Sequence, residues 1–426
     1  MKLRLPIKLV LKFCIVGVLI ITHNNNAYAS FVQKSIELSA DVEVVADVYG
    51  NESRIRALWI SPGYGVNARH QQVAKDLGAL GVQVWQTNLL EALFLPRGAQ
   101  SLRKIPSKLV GELIQKISEN GKYKILIVSG SYGSVPALRG AYAWQELKPK
   151  KRSLIGVVLF SPNLFAEIPA LGEPPTFVDV VKVTSVPVYL FQAEKHSNRW
   201  YNPVMTKMLQ KHAPVYTEIM KGVTSLFYHR DEAEATLNRL KIIAARIKTI
   251  IPLLEKHDYP LKPVQQISAQ SKSTDSGVDD KIKPYRGKTK PQAFALRDVN
   301  GKLYSVSDFT GKVTVINFWA TWCPPCVEEI PSLNRLREKM KNKQFQLISI
   351  NYAESPKQIR DFMQQVKVDF PVLVDPEGKM AKQWRVIAFP STFVIGPDGK
   401  IKYGVNAAIH WDTDEVINKL NKLLSQ

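Results

Sequence analysis

Cysteine is scarce: 426 residues contain three, Cys14, Cys323 and Cys326. A disulfide-stapled fold would carry several bridges spread along the chain, so that class is excluded. Long apolar runs are also missing. The stretch from Phe13 to Ile21 is too short to span a bilayer comfortably. Acid is in short supply, with 37 Asp and Glu against 58 Lys and Arg and a formal charge of +21. The basic residues are dispersed and no nucleic-acid motif accompanies them, so no nucleic-acid partner is expected. Such a balance permits peripheral contact with an anionic membrane surface. There is no internal repeat.

What is present begins with MKLRLPIKLVLKFCIVGVLIITHNNNAYA. Lys2, Arg4, Lys8 and Lys12 precede the apolar run, no acid occurs, and Ala27-Tyr28-Ala29 supplies the small residues of a cleavage site. The segment 1–29 is expected to be a signal peptide cut after Ala29, which gives the mature chain a periplasmic address. A retained N-terminal anchor is the alternative. Small residues do not precede Cys14 as in a lipoprotein signal, so lipid attachment is not expected. Removing the leader leaves one cysteine pair.

The length exceeds one ordinary core, and 45% apolar content is globular. A stretch rich in Ser, Lys, Asp, Gln and Pro, KPVQQISAQSKSTDSGVDDKIKPYRGKTK, has linker composition. The expected division is a first domain over 30–262, a linker over 263–285 and a second domain over 286–426. An amphipathic helix between Asp231 and His257 closes the first domain.

The pair lies in ATWCPPCVEEIP. Two cysteines separated by two residues can be a staple, half of a metal site or a redox switch. Closing so short a loop constrains the unfolded chain very little. Structural zinc needs about four ligands, and apart from Glu328 and Glu329 none lies nearby, so no metal is expected. Redox chemistry is the reading left, and it needs no further cofactor. Around the pair, KVTVINFWA reads as a buried strand and VEEIPSLNRLREKM as a helix. FQLISINY is a second core strand and SPKQIRDFMQQV a second helix. FALRDVNGKLYSVSDFTGK is a hairpin turning at Asn300-Gly301, STFVIGPDGKIKYGV an edge hairpin at Asp398-Gly399, and TDEVINKLNKLL a last helix. These elements describe an α/β fold with the cysteines at a strand's carboxyl end.

INFWATWCPPCVEEIP, INYAES, FPVLVDPEGK and FPSTFVIGPDGKI, in that order, resemble the TlpA/ResA-like branch of the thioredoxin superfamily over about residues 286 to 426. The resemblance implies a thioredoxin-like fold with a strand–helix insert near 344–366. It also implies an exported thiol–disulfide oxidoreductase acting on protein disulfides, often as a reductant supplied by a membrane thiol donor. Cys323 would cap the helix that begins at Pro324, where the helix dipole favours a thiolate, and would attack the substrate. Cys326, one turn on, would resolve the mixed disulfide. Pro324 and Pro325 are tolerated in a first helical turn and delete two N–H groups that could stabilise the Cys323 thiolate. A reducing potential follows, nearer about −270 mV than about −120 mV.

Thioredoxin has an acid where this chain has Asn317. Glu329 shares a helix face with Cys326 and could take its proton. The other reading makes Glu329 a solvated surface acid, as Glu328 is expected to be. Phe389-Pro390-Ser391 matches the superfamily's cis-proline loop, so Pro390 is expected to pair with substrate backbone. Trp322 is expected to shape the docking surface, Trp319 could be site or core, and Pro331 is structural. Ala320 stands where thiol peroxidases keep a Thr, which argues against peroxidase chemistry.

Residues 31 to 262 alternate strands (ALWIS, VQVWQTN, KILIVSGS, GVVLFSP, VPVYLFQA) with helical segments, the pattern of a largely parallel sheet covered on both faces. KILIVSGSYGSVPAL resembles the nucleophile elbow of the α/β-hydrolase fold, with Ser131 at the turn, Ser129 replacing the first glycine and Gly133 keeping the last. WISPGYG has the small residues of an oxyanion-hole loop. Glu194 and His196 stand where the triad acid is expected, Ser225 stands near the base position, and His229 follows four residues later. A Ser without a base is a weak nucleophile. Three functions are therefore distinguished: disulfide exchange through Cys323, ester hydrolysis through Ser131, and an N-terminal module that binds clients for the redox domain.

Overall fold

The computed structural model describes residues 31–167, 171–228, 232–267 and 282–425. The expected signal peptide, Cys14 and His229 lie outside the described residues. Two α/β layers are formed, the N-terminal one mostly parallel and the C-terminal one mixed. The N-terminal one contains β1 (Val32–Glu37), β2 (Glu43–Tyr49), β3 (Ile55–Ile60), β4 (Gln83–Thr87), β5 (Lys124–Gly130), β6 (Leu154–Phe160), β7 (Val188–Ala193) and β8 (Val215–Met220), in the order β1-β2-β4-β3-β5-β6-β7-β8. The strands from β4 through β8 are parallel, while β1 and β2 are antiparallel. Central strands alternate their side chains between two cores. Leu58 and Ile60 join one, Ala57 and Trp59 the other, which is the period-two rule in a sheet covered on both faces.

Five of these eight strands are legible as apolar runs. β1, β2 and β8 are not, because β1 and β8 are half-exposed edge strands and β2 mixes acid with valine. The closing helix spans Glu234–Glu255. Among the described residues no helix is long and apolar enough to cross a membrane.

The C-terminal layer contains β9 (Lys283–Pro284), a small hairpin of β10 (Ala295–Arg297) and β11 (Leu303–Ser305), then β12 (Val313–Trp319), β13 (Phe345–Tyr352), β14 (Val372–Asp375), β15 (Ser391–Ile395) and β16 (Ile401–Val405). Its main sheet runs β14-β13-β12-β15-β16-β9. β12 is central and fully buried, seven residues rich in β-branched and aromatic side chains. The stretch 344–366 forms β13 and the helix Pro356–Met363, with β13 paired in parallel to β12.

Two expectations are corrected. The stretch 263–285 is not linker throughout: Ile282 is buried, and β9 pairs with β16 through Tyr403 and Pro284. Gln265 and Ile267 are hydrogen-bonded to Tyr142 of the N-terminal layer. For the same reason the β15–β16 hairpin is not the sheet edge. β9 covers it, its single Pro sitting on the outermost strand where a missing N–H is tolerated.

Candidate functional site

β12 ends at Trp319, and the chain turns through Ala320 to Trp322 into the helix Pro324–Met340. Cys323 is the N-cap of that helix, and its sulfur accepts the Cys326 N–H at 3.3 Å. The two cysteines form a disulfide with Cα atoms 5.3 Å apart, inside the usual range. Of the first three helical positions, Pro324 and Pro325 have no N–H, and Cys326 supplies the one donor the sulfur receives. Cys323 is 5% exposed and Cys326 1%.

Alternation along β12 puts Val315, Asn317 and Trp319 on the face of the active-site helix, opposite Ile316 and Phe318. Glu329 lies on that helix three residues after Cys326. It is buried, not a solvated surface acid, and Asn317 Nδ2 donates to its Oε1 at 2.7 Å. Trp411 Nε1 donates to Oε2 at 3.1 Å. Desolvation outweighs these donors and pushes the Glu329 pKa up to about 8. Glu328 is exposed, as expected.

Trp319 is core, with its indole N–H on Ser349 Oγ at 3.0 Å. Trp322 is half-buried, edge-on to Phe389 at 5.8 Å. The Phe389–Pro390 peptide is cis. Pro331 lies inside the active-site helix. Glu354 holds the loop before the cysteines, accepting from the Thr321 N–H at 2.8 Å and from Asn351 Nδ2 at 2.8 Å. The resemblance to thioredoxin singles out Asn317, and helix spacing from Cys326 singles out Glu329; the hydrogen bond between them is not expected from either. Nor is Trp411, because it lies 82 residues from Glu329 and no local pattern marks it. Among the described residues no group of three His, Cys, Asp or Glu could hold a metal.

In the N-terminal layer, β5 turns sharply into the helix Ser134–Glu146, and Ser131 sits at the turn with φ of +49°. That strained turn is the geometry of an elbow. Gly133 is required there, since a Cβ would lie 3.0 Å from the Ser61 carbonyl and collide with Ser129 Oγ. Ser129 fits in place of a glycine because its hydroxyl donates to the Ile60 carbonyl at 2.9 Å. Among the described residues no hydrogen bond reaches the Ser131 hydroxyl. Glu194 is occupied elsewhere, accepting the Gly222 N–H at 2.8 Å. His196 faces the other layer, its ring 6.3 Å from that of Trp322, and desolvation pulls its pKa down to about 4.

The AhpC/TSA family model matches residues 287–404. The thiol-disulfide oxidoreductase ResA of Bacillus thuringiensis subsp. konkukian is 38% identical over 115 residues, 27% of this chain and 66% of the relative. ResA of Bacillus anthracis is 36% identical over 122 residues, 29% of this chain and 70% of the relative. The chain thus spans about two thirds of the length of the curated relatives it matches. Among solved structures, StoA from Bacillus subtilis is 24% identical, covering 31% of this chain and 98% of that one with a TM-score of 0.28. Through this C-terminal segment the chain belongs to the ResA family of thiol-disulfide oxidoreductases.

Proposed function

We propose that this protein is an exported disulfide reductase of envelope proteins. Cys323 is the nucleophile, Cys326 the resolving thiol and Glu329 the proton acceptor, while Trp322 and Pro390 form the docking surface. The observation that carries the reading is the sulfur pair at a helix N-cap with a buried carboxyl on the same helix. The Cys323 thiolate attacks one sulfur of a substrate disulfide, forming a mixed disulfide and releasing the first substrate thiolate. Cys326 gives its proton to the Glu329 carboxylate and attacks Cys323, releasing the second thiolate. The substrate gains two electrons and the cysteine pair loses them. The proton is left on Glu329, the form that its raised pKa favours in the disulfide state. A thiol donor at the membrane then returns the pair to the dithiol. The resemblance of the leader to an export signal supports the periplasmic assignment.

Insulin reduction tests the reading. Activity is expected in the wild type and lost in Cys323→Ser, while Cys326→Ala accumulates mixed disulfides with envelope clients. Equilibration with glutathione checks the direction, and a potential above about −150 mV overturns it. Hydrolysis at Ser131 has weaker support, an elbow without a base among the described residues. A client-binding role for the N-terminal layer accords with that.

A further inference from the structure

The N-terminal layer meets the C-terminal one on the redox face itself. The loop after β7 contributes several contacts. His196 lies against Trp322, and Ser197 Oγ donates to the Ile387 carbonyl at 3.3 Å, three residues before Pro390. Arg199 Nη2 donates to the Glu377 carbonyl at 3.0 Å. Lys382 Nζ sits 4.2 Å from the Trp200 ring centre, and Tyr228 OH donates to the Thr321 carbonyl at 3.5 Å, two residues before Cys323. These contacts fall on the loop before Cys323 and on the segment before Pro390, and Cys323 is 5% exposed.

A second patch fastens the two layers away from the sulfurs. Leu171 enters the C-terminal core, and Gly172 approaches so closely that a Cβ on it would lie 2.6 Å from the Gly287 Cα. Arg286 pairs with Glu173 at 3.2 Å. The two contact regions differ in finish. On the redox side four buried donors have no hydrogen-bond partner among the described residues: Trp322 Nε1, Tyr352 OH, Arg199 Nε and Trp200 Nε1. Each is a donor that water would satisfy if the seam opened, so each weakens docking there. Among the described residues the patch around Leu171, Gly172 and Arg286 carries no such unpaired buried donor.

We propose that the loop 196–201 is a docked, releasable cap that makes the N-terminal layer a substrate selector. The proposal rests on the oxidoreductase reading above. With the cap down, a small disulfide can reach Cys323 and a disulfide in a protein cannot. With the cap lifted, the groove between Trp322 and Pro390 accepts an extended protein segment. His196, Arg199 and Trp200 are then specificity-determining residues that touch neither sulfur.

The full-length chain tests this with two substrates, insulin and the small aromatic disulfide 5,5′-dithiobis(2-nitrobenzoate), under one dithiol donor. Lys382→Glu removes the cation over Trp200 from an exposed position, and Arg199→Ala removes the hydrogen bond to Glu377. Each is expected to raise the insulin rate about two- to fivefold, the population shift that loss of one such contact produces. The rate with the small disulfide and the glutathione-equilibrated potential should stay at wild-type values. Should Arg199→Ala fail to fold, Lys382→Glu alone decides. Unchanged insulin rates, or equal rises with both substrates, overturn the cap and leave the oxidoreductase reading standing. Exchange with neither disulfide in the wild type would remove both.

Discussion

Glu329 carries the sharpest prediction because its environment reverses the usual carboxylate behaviour. Its folded pKa of about 8 lies above the ordinary 4.5, so between those values the folded state binds more protons than the unfolded state. Stability from this group therefore falls as pH rises, by about 1.4 kcal/mol per pH unit at most. His70 and His196 act in the opposite sense. Burial lowers them to about 3 and about 4 from 6.5, so stability rises with pH until they are neutral in both states. The two histidine contributions to the slope are about half gone at pH 6.5 and nearly gone by about pH 7.5, where Glu329 contributes the largest slope of the three. Denaturant unfolding of the oxidised wild type from pH 7 to 8 should show the decline, and Glu329→Gln should abolish it. A slope that persists in Glu329→Gln would assign the decline to another group. The residue was visible as a candidate in the sequence, but its burial was not, because helix spacing does not say what covers the face.

The start of the active-site helix is a unit in which each residue constrains the next. Pro325 at the second helical position deletes a donor, and the Cys326 N–H is the donor left for the Cys323 sulfur. Pro325→Ala restores an N–H aimed at that sulfur. A hydrogen bond to a charged group contributes about 1.5 kcal/mol, and for a two-electron couple that stabilises the dithiol by about 30 mV. The potential measured against glutathione should rise by about that amount; no change, or a fall, would mean that the amide does not reach the thiolate. This element was legible in advance. Buried strand, cysteine cap, prolines and helix are all local signals, and β12 supplies period two as its composition suggests. β9 was hidden inside a polar stretch, since two residues of strand carry no periodicity and exist only because β16 offers an open edge.

Two layers, each with cores on both faces of its sheet, are joined at the loop that meets Trp322 and at a second patch around Leu171 and Arg286. Ser131 sits on a turn with positive φ, while Glu194 and His196 make contacts elsewhere. Fluorophosphonate treatment of the full-length chain should accordingly label Ser131 no more than the Ser131→Ala background. Strong labelling lost in that variant would instead establish a working serine nucleophile. Composition and local pattern were enough to fix the α/β class, to single out the sulfur pair and to locate the turn bearing Ser131, because strand alternation, helix capping and turn residues act over a few neighbours. The burial of Glu329, its donor Trp411 and the meeting of His196 with Trp322 depend on residues 82 and 126 positions apart. Such contacts arise when whole layers close on each other, and no neighbour-to-neighbour rule encodes them.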